Sequence, residues 1–142
     1  MGVRETLEDL STRADVANVL LTGNMRDGAN AKLRSYGLAA FFPHGGGFAD
    51  DGYDRVAIGR CAVARAAATW GRVPVERALL IGDTPHDVEC AQLLGLRALA
   101  VATGIHLSSE LSAAGATWVY EQLPSANVLM GLAGEQVAAV AT

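Results

Sequence analysis

Residues 77–104 read RALLIGDTPHDVECAQLLGLRALAVATG, and the order of residue types along this stretch decides the fold class. Ala78, Leu79, Leu80 and Ile81 form a short unbroken apolar run stopped by Gly82 and Asp83, which suits a strand covered on both faces. Thr84 is a good N-cap and Pro85 fits a first helical position, so a helix is predicted over 85–94 with Gly95 as its C-terminal cap. A second apolar run follows from Leu96 to about Thr103. Strand, helix, strand in so few residues is a βαβ unit, and two apolar strands joined by a helix must lie parallel.

The same alternation extends outward. Upstream, Val3, Leu7 and Leu10 mark one apolar helix face over about 3–13, and Val19, Leu20 and Leu21 form an apolar run ending in Thr22, Gly23 and Asn24. A helix over about 25–36 closes at Gly37, and PHGGGFADDGYD (43–54) reads as loop. The Ala-rich stretch 55–70 reads as a helix ending at Gly71, with Pro74 beyond it. Downstream, a helix near 107–114, a strand at 118–120 and a C-terminal helix from about Ser125 complete the chain. The expected class is α/β, a Rossmann-like parallel sheet with helices on both faces.

Composition narrows the function. The 142 residues are 51% hydrophobic and 18% charged, enough for one folded domain. A net charge of −4 gives no basic footprint for nucleic acid or for an acidic membrane surface. Cys61 and Cys90 cannot make a disulfide framework, and His44, His86 and His106 lack metal-ligand spacing. The cysteines read as reduced core residues and the histidines as surface or rim residues. The charged N-terminus and the lack of an 18-residue apolar run lead to the expectation of a cytoplasmic, non-membrane protein.

In parallel sheets the ligand site lies off the carboxyl ends of the strands, where two runs here end in polar clusters. One is Thr22, Gly23 and Asn24; the other holds Asp83 at a strand end and Asp87 in the first turn of the next helix. Two carboxylates converging there suit Mg²⁺, a hard cation that keeps several waters. The same spacing equally suits Asp87 as part of the helix cap, and Thr22 as an ordinary strand-ending residue.

The run from Arg77 to Gly104 resembles the fourth motif of the haloacid dehalogenase (HAD) superfamily, and VLLTGN (19–24) resembles its second. The resemblance covers residues 2–120. It implies a phosphatase-type hydrolase with a small phosphorylated substrate, Asp83 as direct Mg²⁺ ligand and Asp87 as the supporting one. By the same resemblance, Thr22 and the N–H groups of Gly23 and Asn24 would hold phosphoryl oxygens, and Arg55 would be the third-motif cation, with Arg60 as the alternative. Lys32, the only lysine, falls in mid-helix and reads as structural.

One element of the superfamily pattern does not match. Its enzymes begin with an apolar strand ending in DxDx[TV], whose first Asp is the nucleophile. No such strand precedes Thr22, and Asp50, Asp51 and Asp54 follow no suitable apolar run. The chain therefore reads as one partial core domain without nucleophile or cap, either inactive by itself as part of a longer phosphohydrolase or a catalytically dead binding module. The missing strand would lie centrally, between those ending at Thr22 and Gly82. The expectation is that these two either pair directly or receive a strand from another chain, in a homodimer or in a complex with an N-terminal half.

Overall fold

A computed structural model describes residues 2–43, 45–71, 77–133 and 137–141. His44 and Pro74, both used in the sequence reading, lie outside the described residues. Among the described residues, six α-helices and six strands follow in the order α1 (Val3–Ser11), β1 (Val16–Leu21), α2 (Arg26–Ser35), β2 (Gly46–Gly47), α3 (Arg55–Trp70), β3 (Ala78–Gly82), α4 (Pro85–Leu94), β4 (Arg97–Val101), α5 (Ser108–Ala113), β5 (Trp118–Tyr120), α6 (Ala126–Ala133) and β6 (Val137–Ala141). The sheet is wholly parallel, with strand order β2-β1-β6-β3-β4-β5, so the α/β class read from the sequence holds.

Alternation along the pleat distributes the core. On β1, Ala17, Val19 and Leu21 are buried against the side that carries α3, α4 and α5, as are Leu80 of β3 and Ala98 and Ala100 of β4. The intervening residues Leu79, Leu99 and Val101 pack with Leu10 of α1 and Leu129 of α6 on the other side. Leu20 joins Ala29 of α2 and Phe48 there. β1, β3 and β4 thus show one face to each helical layer, which is why their apolar runs are continuous.

Local signals account for most boundaries. Asp54 caps α3 by accepting from the Ala57 N–H at 2.7 Å, and Gly71 and Gly95 close α3 and α4 with positive φ, as an L side chain rarely allows. A brace ties the segment after β2 to α3. Asp51 makes a two-pronged ion pair with Arg65, at 2.6 and 2.7 Å, and Arg65 also donates to the Gly46 carbonyl. The Arg65 guanidinium holds the Asp51 carboxyl down to about 2.

Two expectations need correction. The glycines at 45–47 are not all loop, since Gly46 and Gly47 pair with Leu20 and Leu21 as a short edge strand. A Cβ on Gly46 would fall on the Leu20 carbonyl oxygen, and one on Gly47 on that of Ile58, so only glycine permits this approach. The larger correction concerns the middle of the sheet. The C-terminal helix does not end the fold: β6 follows it and runs between β1 and β3, pairing Ala139 with both Asn18 and Leu79. The two strands neither meet nor await a second chain, because a later segment of the same chain satisfies both inner edges. Neither β1 nor β3 is left with an open inner edge that would drive self-association.

Candidate functional site

The carboxyl ends of β1 and β3 flank β6, and the polar clusters read from the sequence stand there together. Thr22 continues β1 and donates its N–H to the Gly47 carbonyl at 3.1 Å. Its Oγ1 accepts from the Asn24 N–H at 3.1 Å, which folds the TGN segment into a tight turn. That N–H, expected to face a phosphoryl oxygen, is thus engaged by Thr22 itself, leaving the Thr22 hydroxyl proton to point elsewhere. The Asn24 carbonyl accepts from Ala49 at 2.9 Å and anchors the turn to the segment after β2.

Asp87 is fully buried, and its carboxylate organises the turn between β3 and α4. Oδ2 accepts from the N–H of Asp83 at 3.1 Å, from the N–H of Thr84 at 3.2 Å and from the Thr84 hydroxyl at 3.0 Å. Thr84 reciprocates by accepting from the Asp87 N–H at 3.2 Å, which completes a capping box. A Cβ on Gly82 would collide with this carboxylate, so glycine there lets Asp87 fold back. Oδ1 lies 3.0 Å from Nη1 of Arg55, the first residue of α3.

Arg55 joins the two clusters. Its other guanidinium nitrogen lies 3.8 Å from where a Cβ of Gly23 would be, so one cation spans from the TGN turn to Asp87. Arg60 is an exposed residue of α3. The buried Cys90 thiol lies 3.5 Å from the Arg55 carbonyl, and burial pushes its pKa up to about 11, as expected of an inert core thiol. Cys61 is only half-buried, which corrects its reading as a core residue. His86 is exposed, and His106 lies 3.6 Å from Glu110.

Asp83 is the opposite of Asp87. It is half-buried, and its carboxylate has no hydrogen-bond partner among the described residues; Oδ2 stands 2.6 Å from where a Cβ of Gly104 would be. The donor set fits Mg²⁺ in a restricted way: one available carboxylate, with Asp87 held off by Arg55 and by its own three donors. Such an ion is commonly held by one or two carboxylates together with waters and substrate phosphate. No cluster of three candidate metal ligands occurs among the described residues.

A cavity of about 620 Å³ opens at this point, with Thr22, Asn24 and Asp83 among its lining residues. It continues beneath them on the side of α1, α2 and α6, past Leu20 and Ile81 to Asn18. Asn18 was not singled out in the sequence reading. The signal was present, because an amide inside VANVLL, two and four residues before Leu20 and Thr22, shares their face of the strand. Asp50, Asp51 and Asp54 serve local structure instead: Asp50 accepts from the Arg26 N–H at 2.7 Å, while Asp51 and Asp54 hold Arg65 and the start of α3. No helix of the described residues is long and apolar enough to cross a membrane.

Residues 58–126 match the family model described as HAD-hydrolase-like. Among solved structures, the chain is similar to a haloacid dehalogenase-like family hydrolase from Streptococcus pneumoniae, at 21% identity and a TM-score of 0.69, covering 84% of this chain and 53% of that one. It is also similar to an inferred phosphatase from Clostridium difficile, at 20% identity and a TM-score of 0.70, covering 85% of this chain and 55% of that one. A predicted phosphatase from Clostridium acetobutylicum gives 20% identity, a TM-score of 0.69 and coverages of 84% and 53%. The chain thus spans about half the length of these solved relatives. No curated protein is significantly similar to the sequence. With the motif stretch matched and the surrounding fold shared, the chain carries a haloacid dehalogenase-like core.

Proposed function

We propose that the chain is the phosphate-handling core of a Mg²⁺-dependent phosphohydrolase acting on a small phosphorylated molecule. The observation that carries this reading is Arg55, one guanidinium spanning Gly23 in the first cluster and Asp87 in the second. A phosphoryl group bound between the clusters would meet the Thr22 hydroxyl and the Gly23 N–H from one side and Arg55 from another. Asp83 would hold the cation, while Asp87 keeps Asp83 and Arg55 in place. Bound there, Mg²⁺ would neutralise phosphoryl charge, the dominant need in such transfers.

The nucleophile is the missing part. Within these 142 residues no apolar run ends in DxDx[TV], so the chain by itself is expected to bind phosphate and to turn over almost nothing, a loss on the order of 10⁶-fold for a missing nucleophile. The second reading, a catalytically dead binding module, is favoured by one observation: the central strand β6 contains no aspartate. Titration with inorganic phosphate in the presence of Mg²⁺, followed by calorimetry, tests the shared premise. Binding should weaken at least tenfold in Thr22→Val and in Asp83→Asn. Equal binding in the parent and both variants would sink the phosphate site, and brisk Mg²⁺-dependent hydrolysis of an aryl phosphate by the pure chain would overturn its expected inactivity.

A further inference from the structure

The cavity under the phosphate site has a shape and lining that specify a ligand. On β1, Asn18, Leu20 and Thr22 stand on one face and all line it; on β3, Ile81 and Asp83 do the same. A continuous trough therefore leads from the polar strand ends down the pleat. Along most of its length the walls are apolar, with Leu7 and Leu10 of α1 and Leu129 of α6 opposite the sheet. Its volume is in the range of small-molecule sites.

At the inner end stands an unpaired polar atom. Asn18 is 5% exposed, and its Oδ1 is buried without a hydrogen-bond partner. Thr6, the other buried polar residue on this wall, already donates to the Pro124 carbonyl at 3.3 Å. A buried amide oxygen left without a donor is uncommon and costly, and its residue lines a cavity large enough to bring one. Asn18 precedes Thr22 by four residues, about 13 Å along a strand.

We propose that this trough binds the organic half of the phosphorylated substrate: a phosphomonoester with an extended apolar body and one hydroxyl or amide N–H, which donates to Asn18 Oδ1 about 13 Å from the phosphorus. The inference rests on phosphate binding at Thr22 and Asp83. The apolar stretch of wall at Leu7, Leu10, Leu20 and Leu129 selects an apolar body, the charged residues of the lining being Lys32 and Asp83, and the buried Asn18 acceptor selects a donor at its depth.

The test uses three probes on the full chain with Mg²⁺: 10-hydroxydecyl phosphate, decyl phosphate and 1,10-decanediol, each titrated by calorimetry beside inorganic phosphate. The hydroxylated phosphate should bind at least tenfold more tightly than inorganic phosphate and about tenfold more tightly than decyl phosphate. Asn18→Leu should erase the second preference and keep the first. Ala29→Leu, which enlarges a buried residue lining the trough, should weaken both decyl phosphates and leave inorganic phosphate unchanged; it also serves as the test if Asn18→Leu does not fold. Should decanediol bind as well as its phosphate, with both weakened by Asn18→Leu and neither by Thr22→Val, the trough would stand and the phosphate reading would fall. If none of the three ten-carbon probes binds better than inorganic phosphate, or if the hydroxyl preference survives in Asn18→Leu, the proposal is overturned.

Discussion

Asp83 and Asp87 are four residues apart in one motif, yet their environments assign them opposite work, and substitution should separate the two. Asp87 is fully buried, accepts three hydrogen bonds and pairs with Arg55 at 3.0 Å. Asparagine at 87 keeps the size but loses the charge, and turns an N–H₂ toward groups that themselves donate. Losing half of the capping box costs about 1 kcal/mol. Charge-assisted hydrogen bonds add about 1.5–3 kcal/mol, and because the Arg55 side chain remains 33% exposed, the total belongs near the low end of the range for breaking a buried pair, about 3 kcal/mol. For a domain of this size that is a fall in Tm on the order of 10 °C. Asp83→Asn removes a carboxylate with no hydrogen-bond partner among the described residues, so stability should change by less than about 0.5 kcal/mol while Mg²⁺ affinity drops at least tenfold. Urea unfolding followed by circular dichroism and Mg²⁺ titration by calorimetry give the two readouts. Equal stability of Asp87→Asn and parent, or unchanged Mg²⁺ binding in Asp83→Asn, would refute this division of labour.

Other sites make separate predictions. Gly46→Ala should cost about 2–3 kcal/mol in chemical denaturation, because the new methyl group falls on the Leu20 carbonyl; a variant as stable as the parent would mean that β2 does not lie against β1. Ala139→Pro should cost about 3 kcal/mol or more, since a proline in a strand paired on both sides deletes a ladder N–H; a thermal melt unchanged from the parent would remove β6 from the centre of the sheet. The Asp51 carboxyl is held down to about 2 from an ordinary 3.8, so its stabilising pair with Arg65 is complete above about pH 4 and is lost as pH falls toward 2. Asp51→Asn should lower stability at pH 7 by about 1–2 kcal/mol and flatten the acid limb of the stability curve, and a parent-like slope between pH 4 and pH 2 would contradict the pairing.

Much of this protein was legible in the residues because its signals are local. Thr84, Pro85 and Gly95 bound α4, Gly71 ends α3, and the apolar runs at 19–21, 78–81 and 96–103 announce buried strands. The gathering of Thr22, Asp83 and Asp87 also followed from the sequence, since parallel strands deliver their carboxyl ends to one edge, whereas Arg55 was expected only from the family resemblance. What the sequence left open was which of two roles each carboxylate takes, and only the approach of Arg55 and the fold of the Thr84 turn separate them. The centre of the sheet was not legible at all. VAAVA at 137–141 is alanine-rich, without a clear strand preference or an alternating pattern, and follows a helix that reads as the end of the fold. It is a strand because β1 and β3 present two rows of backbone donors and acceptors that must be satisfied where water is excluded. Gly46 and Gly47 form a strand for a kindred reason, since the Leu20 and Ile58 carbonyls leave room for backbone and nothing more. In both cases partners far away in the chain decide the conformation, and no property of the segment itself records where those partners are.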